Sequence, residues 1–182
     1  MRLSKRNKID KNKKINFNFG KVYKQSKNGI KPHGFWYSCY NDWYNWTQIE
    51  GMFQYKYIHK ININSKVLTD IENKNKDKIL VINNIKDFDI FNRRYGHLDK
   101  NENNNNIFSN NMKWKNYLVN WDKVSKDYGG IEICPYLTQR KHYLWYNTFD
   151  VASGCIWNTK AIIKNSELIY EKKKGKYVKI NE

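Results

Sequence analysis

The sequence predicts an α+β domain, a single mostly antiparallel sheet core flanked by helices, and three observations predict it. Short runs rich in β-branched and aromatic residues are each bounded by Gly, Pro or Asn. Two windows repeat apolar residues at near-helical spacing behind Asn or Asp caps. The elements follow as strand, helix, two strands, helix, helix and then strands, without the strict alternation of a parallel sheet. A chain of 182 residues is long enough for one domain with a real core.

Taken in order, residues 34–40 (Gly34-Phe35-Trp36-Tyr37-Ser38-Cys39-Tyr40) follow Pro32 and read as the first strand. Asn41 or Asp42 then caps a helix carrying Trp43, Trp46, Ile49 and Phe53 on its apolar positions. Residues 54–63 place apolar side chains mainly at 55, 57, 61 and 63, the pattern of a half-buried strand, and residues 78–82 are a shorter, more buried one. Asn83 or Asn84 caps a second helix with Ile85, Phe88, Phe91 and Tyr95 inward, and Gly96 ends it. Trp114, Leu118, Trp121, Val124 and Tyr128 predict helical structure up to Gly129-Gly130; residues 131–134 and 151–157 are strands. The end of the chain predicts a hairpin turning at Lys174-Gly175.

Residues 1–20 are expected to be a basic flexible tail and residues 21–182 the domain, with a mobile Asn-rich insertion at 99–111. Arg2, Lys5, Arg6, Lys8, Lys11, Lys13 and Lys14 face only Asp10 there, with no apolar stretch of a secretory signal. Residues 1–14 and 99–111 should therefore be dispensable for folding, while Phe17, Phe19, Val22 and Tyr23 mark an arm laid on the domain. The net charge of +17 predicts a polyanionic partner, a nucleic acid or an acidic protein. Lys, Asn, Ile and Tyr share AT-rich codons, so the charge alone selects no partner. Cys39, Cys134 and Cys155 lack zinc spacing and read as reduced thiols of an intracellular protein, in the cytoplasm or nucleus; no transmembrane segment and no metal are expected.

The stretches Tyr128–Tyr136 and Trp145–Trp157 mix aromatics, small residues and carboxylates, and read as the wall and floor of a cleft. Together with Lys31-Pro32-His33-Gly34-Phe35-Trp36-Tyr37-Ser38, Asp42-Trp43 through Glu50, and Trp121-Asp122, they resemble small, mostly uncharacterised proteins of giant DNA viruses and fungi, with a layout similar to the ADP-ribosyltransferase-like fold. The resemblance implies transfer of ADP-ribose from NAD to a protein or nucleic acid. It assigns NAD contacts to His33 and Gly34, with Lys31 as an alternative basic residue, and to Trp36, Ser38 and Ser153. The acid that stabilises positive charge on the ribose is Glu132, with Asp150 as the alternative. Pro32 before His33 and Phe35 after Gly34 depart from the family pattern.

A different class of function fits the same residues. Trp36, Tyr37, Trp43 and Trp145 among many lysines suit a non-catalytic nucleic-acid-binding module, with rings stacking on bases and lysines meeting phosphates. A nuclease using His59 or His142 is a third option, without paired spacing to support it. The first two predict different geometries: Glu132 and Asp150 converging on His33-Gly34 in one pocket, or aromatics lining an open basic groove.

Overall fold

The computed structural model describes residues 5–15, 20–52, 54–99, 116–159 and 163–180. In chain order the elements are β1 (Arg6–Asp10), β2 (Phe35–Cys39), α1 (Asp42–Ile49), β3 (Tyr57–Ile63), β4 (Leu68–Thr69), β5 (Asn75–Ile82) and α2 (Ile85–Tyr95). There follow β6 (Gly96–Leu98), β7 (Tyr117–Val119), α3 (Trp121–Asp127), β8 (Tyr128–Ile133), α4 (Leu144–Asn147), β9 (Ser153–Ile156), β10 (Ile163–Lys173) and β11 (Lys176–Lys179). Nine strands form one sheet in the order β11-β10-β3-β1-β2-β9-β8-β5-β4, antiparallel except where β5 pairs with β4 and β8. The chain is thus a single α+β domain with a large, mostly antiparallel sheet, as its sequence predicts. Among the described residues no helix is long and apolar enough to cross a membrane.

The expected strands are present within a few residues, and Asn41 precedes α1 without a side-chain capping hydrogen bond. Asn84 caps α2 by accepting from the Asp87 N–H, and Gly96 follows its last turn. The hairpin β10–β11 turns at Lys174 and Gly175, both at positive φ (48° and 79°), the two-residue turn whose twist matches that of paired strands. Helix α3 is shorter than expected: residues 117–119 form β7 against β6, because Leu118 and its neighbours pair in extended form, and Asn120 caps the helix only afterwards. Trp114 and nearly all of the 99–111 insertion lie outside the described residues, as do Phe17, Phe19 and Phe53.

The main correction concerns the N-terminus. Residues 6–10, expected in a flexible tail, form β1 in the interior of the sheet, with Asn7 opposite Ser38 of β2 on one side and Lys60 of β3 on the other. Ile9 is buried against Ile58, and Asn7 satisfies its amide on the Tyr40 carbonyl at 2.9 Å. A short alternation of buried and partly buried residues was hidden inside a charge run. Beyond it, residues 20–33 do lie on the domain: Tyr23 donates to the Trp157 carbonyl, and Gly29 exchanges backbone hydrogen bonds with Val119.

The principal core sits where α2, α3 and α4 cover β5, β8 and β9. It is strongly aromatic. Trp145 stacks on Phe88 at 5.2 Å and donates to Asn92, and Trp157 donates its indole N–H to the Tyr128 carbonyl. Trp145, Tyr146, Phe149 and Trp157 are all buried, so the stretch read as a cleft wall is mostly core. Such side chains contribute by their large buried area and edge-to-face contacts, with each indole N–H matched to an acceptor.

Candidate functional site

The sheet places two separate polar constellations. The first is buried. Tyr37, Gly154 and Glu132 lie in register across β2, β9 and β8, and a Cβ at position 154 would collide with the Tyr37 ring. Glycine there lets the phenol cross β9 and donate to Glu132 at 2.9 Å. Arg6 of β1 closes the other side with a two-pronged contact, Nε to one carboxylate oxygen at 2.5 Å and a terminal nitrogen to the other at 2.9 Å. Although burial opposes its charge, the hydrogen bonds and charge of Glu132 hold the Arg6 pKa above its usual value. Burial, with Glu132 beside it, drives the Tyr37 phenol well up, so it remains a donor. Glu132 is 1% exposed and enclosed by these two partners.

The second constellation is open to solvent, a cleft of about 300 Å³. Helix α1 presents Trp43, Trp46 and Thr47 to it, residues three and four apart and therefore on one face. Ile49, assigned to that stripe from sequence, is 81% exposed, because spacings of three without a following four rotate it off the face. Trp36 comes from β2, Tyr55 from the approach to β3, and residues 8–12 from β1 and the turn after it. Phe149 and Asp150 come from the turn that follows α4. The carboxylate of Asp42 accepts the Ala152 N–H, tying the start of α1 to that turn; burial raises its pKa and this bond opposes the rise.

Lysines ring the aromatic walls. The Lys31 ammonium lies 4.7 Å from the Trp36 ring centre, Lys8 lies 5.8 Å from Trp43, and Lys11 lies 5.9 Å from Tyr55. Burial lowers the Lys8 pKa, with Asp10 at 3.9 Å partly offsetting it. Lys31 is 3.7 Å from the Asp150 carboxylate, whose pKa is raised by burial and brought partly back by that lysine. Asp150 itself sits at φ 62°.

Of the residues singled out from sequence for NAD or catalysis, the cleft gathers Lys31, Trp36 and Asp150. Glu132 is held in the buried cluster, so the two carboxylates do not share a pocket. The His33 backbone is bound on both sides by the Gln25 side chain. Gly34 is small because its α-carbon packs against the Ile156 carbonyl and the Cys155 sulfur. Ser38 is buried and donates to the Asn7 carbonyl, and Ser153 is buried and donates to the Val151 carbonyl. Trp43 of the binding-module set lines the cleft, whereas Tyr37 and Trp145 are core. Sequence reasoning missed Lys8, Asp10 and Lys11, because a β-strand inside a basic run gives only the faint signal of Ile9 between charged neighbours, and it read Tyr55 as one apolar position of a half-buried strand. Among the described residues no cluster of His, Cys, Asp and Glu could hold a metal ion. Comparison with known proteins found no matching family model, no similar curated protein and no similar solved structure.

Proposed function

We propose that the cleft binds the bases of a single-stranded nucleic acid, with the lysines around it meeting the adjacent phosphates. One observation carries this reading: three lysines stand against three aromatic rings around a single cavity large enough for a base. Flat rings stack on any base and clustered ammonium groups follow the backbone, which are the two requirements of single-strand binding. The overall charge of +17 favours the same partner. The carboxylate that a transferase would place beside a ribose has, at Glu132, an arginine and a phenol in its place of contact. A binding role therefore accounts for more of the cleft than an enzymatic one.

The test is quenching of tryptophan fluorescence by mixed-sequence single-stranded oligonucleotides, with a duplex and heparin as polyanion controls. Stacking should quench strongly with single strands and weakly with the controls. Trp36→Ala should cost about 1–3 kcal/mol of affinity, the usual value of one stacked base. Equal binding of heparin and oligonucleotide, unaffected by Trp36→Ala, would sink the proposal. Release of nicotinamide from NAD in an Asp150-dependent manner would overturn its non-catalytic character.

A further inference from the structure

Resting on that reading, we infer that Lys31 and Asp150 make the cleft selective for guanine. The two side chains are delivered by separate segments that the fold fastens together. The Thr148 hydroxyl donates to the Trp145 carbonyl at 2.7 Å and its oxygen lies 3.1 Å from the Ile30 carbonyl, so the turn bearing Asp150 rests against the residue before Lys31. Within that turn Asp150 donates its N–H to the Asn147 carbonyl and Val151 donates to the Phe149 carbonyl. Asp150 is thereby held in the left-handed region at φ 62°, a conformation that aspartate tolerates better than most residues. Non-glycine residues held there at a modest cost in strain are found disproportionately at binding sites.

The pair leaves bonding capacity open. An ammonium and carboxylate separated by 3.7 Å are farther apart than a charge-assisted hydrogen bond of about 2.8 Å. The carboxylate keeps acceptor positions on both oxygens, and the ammonium keeps donors. Asp10, the other acid on the cleft, already accepts from the Asn12 N–H at 2.9 Å and faces the Lys8 ammonium at 3.9 Å.

An acceptor pair next to a donor selects among bases by elementary complementarity. Guanine alone carries two adjacent donors, N1–H and the 2-amino group, that reach both oxygens of one carboxylate, and its O6 beside them accepts from an ammonium. Adenine and cytosine offer one amino group next to a ring nitrogen lone pair, which a second carboxylate oxygen would repel. Uracil places its single N–H between two carbonyls. In the bound state a guanine ring replaces the ammonium over Trp36, and Lys31 turns to O6.

The experiment uses the full chain, wild type and Asp150→Asn, titrated with GMP, IMP, AMP, CMP and UMP and followed by tryptophan quenching. Asparagine tolerates the same backbone conformation, and retained AMP binding reports that the variant is folded. Wild type should bind GMP roughly tenfold tighter than AMP, CMP or UMP, in line with one bidentate contact. IMP, which lacks the 2-amino group, should lose most of that preference. Asp150→Asn should bring GMP down to the level of the other nucleotides. Equal affinities for all nucleotides in wild type would overturn guanine selectivity while leaving base binding intact. A GMP preference unchanged in Asp150→Asn would overturn the assignment to this residue. Absence of binding by every nucleotide and by the oligonucleotides would bring down the underlying reading as well.

Discussion

Replacing Glu132 by Gln separates a structural role from a catalytic one. The change preserves shape but removes the charge that compensates Arg6, and it turns an amide donor toward donors already committed by Arg6 and Tyr37. Arg6 cannot shed its proton, so its buried guanidinium loses the carboxylate that accepts two of its hydrogen bonds. Breaking a buried pair from one side costs about 3–5 kcal/mol. That is a large share of the roughly 5–15 kcal/mol that holds a domain together. With a urea slope of about 2 kcal/mol per molar, the unfolding midpoint should fall by about 2 M. Equilibrium urea unfolding, followed by far-ultraviolet circular dichroism and tryptophan fluorescence, measures it. The double variant Arg6→Met/Glu132→Leu, which removes both charges at once, should be clearly more stable than Glu132→Gln. A Glu132→Gln midpoint within about 0.3 M of wild type would refute the structural role and return Glu132 to the list of catalytic candidates.

Two further outcomes follow from the same geometry. Deleting residues 1–10 removes β1 from between β2 and β3 and strips Glu132 of Arg6, so the truncated chain should lose its cooperative thermal transition; a sharp transition near the wild-type temperature would instead support a dispensable tail. Guanosine selectivity should depend on pH through Asp150. Burial raises this carboxyl above its usual value, with Lys31 opposing and Glu50 reinforcing the shift, so it takes up a proton earlier than an ordinary aspartate as pH falls. The carboxylate form is the one that accepts both guanine N–H groups, so selectivity should be full at neutral pH and decline as pH drops toward about 4. Asp10, Lys8 and Lys11 share the cleft, and Asp150→Asn, whose selectivity should be low and flat with pH, isolates the contribution of residue 150. Guanosine in place of GMP keeps phosphate titration out of the measurement.

Most of the sheet was legible because its strands carry strong local signals. Residues 35–39, 79–82 and 153–156 are short, β-rich and punctuated by Gly, Pro or Asn, and each falls where expected. Strand β1 was not legible. Its sequence, Arg-Asn-Lys-Ile-Asp, holds one apolar residue, and its place in the sheet depends on partners far along the chain: Tyr40 for the Asn7 amide and Glu132 for Arg6. Local composition says tail; two long-range polar contacts and backbone pairing on both edges say strand. The same contacts explain the fate of Glu132. A carboxylate in an apolar run must be paired or functional, and the sequence offered no way to see that its cation comes from residue 6.

The cleft shows the complementary limit. Periodicity places Trp43 and Trp46 on one helical face but does not say whether that face meets a core or a ligand. Here the sheet decides. Helix α1 covers Ile9 and Ile58, while α2, α3 and α4 cover the strands from β9 outward, and Trp36 with the Phe149–Asp150 turn borders the space that α1 leaves open. Trp145 and Trp157, equally prominent in the sequence, are enclosed because they fall within the α2–α4 cluster. Trp36 escapes that fate only in part: it makes a T-shaped contact with Phe149 at 5.0 Å and carries Lys31 over its ring at 4.7 Å. On the proposed reading, a ring seated against Phe149 under a partly exposed ammonium suits a stacking ligand, since the lysine would exchange its place over the indole for a phosphate or a base carbonyl without disturbing the core beneath.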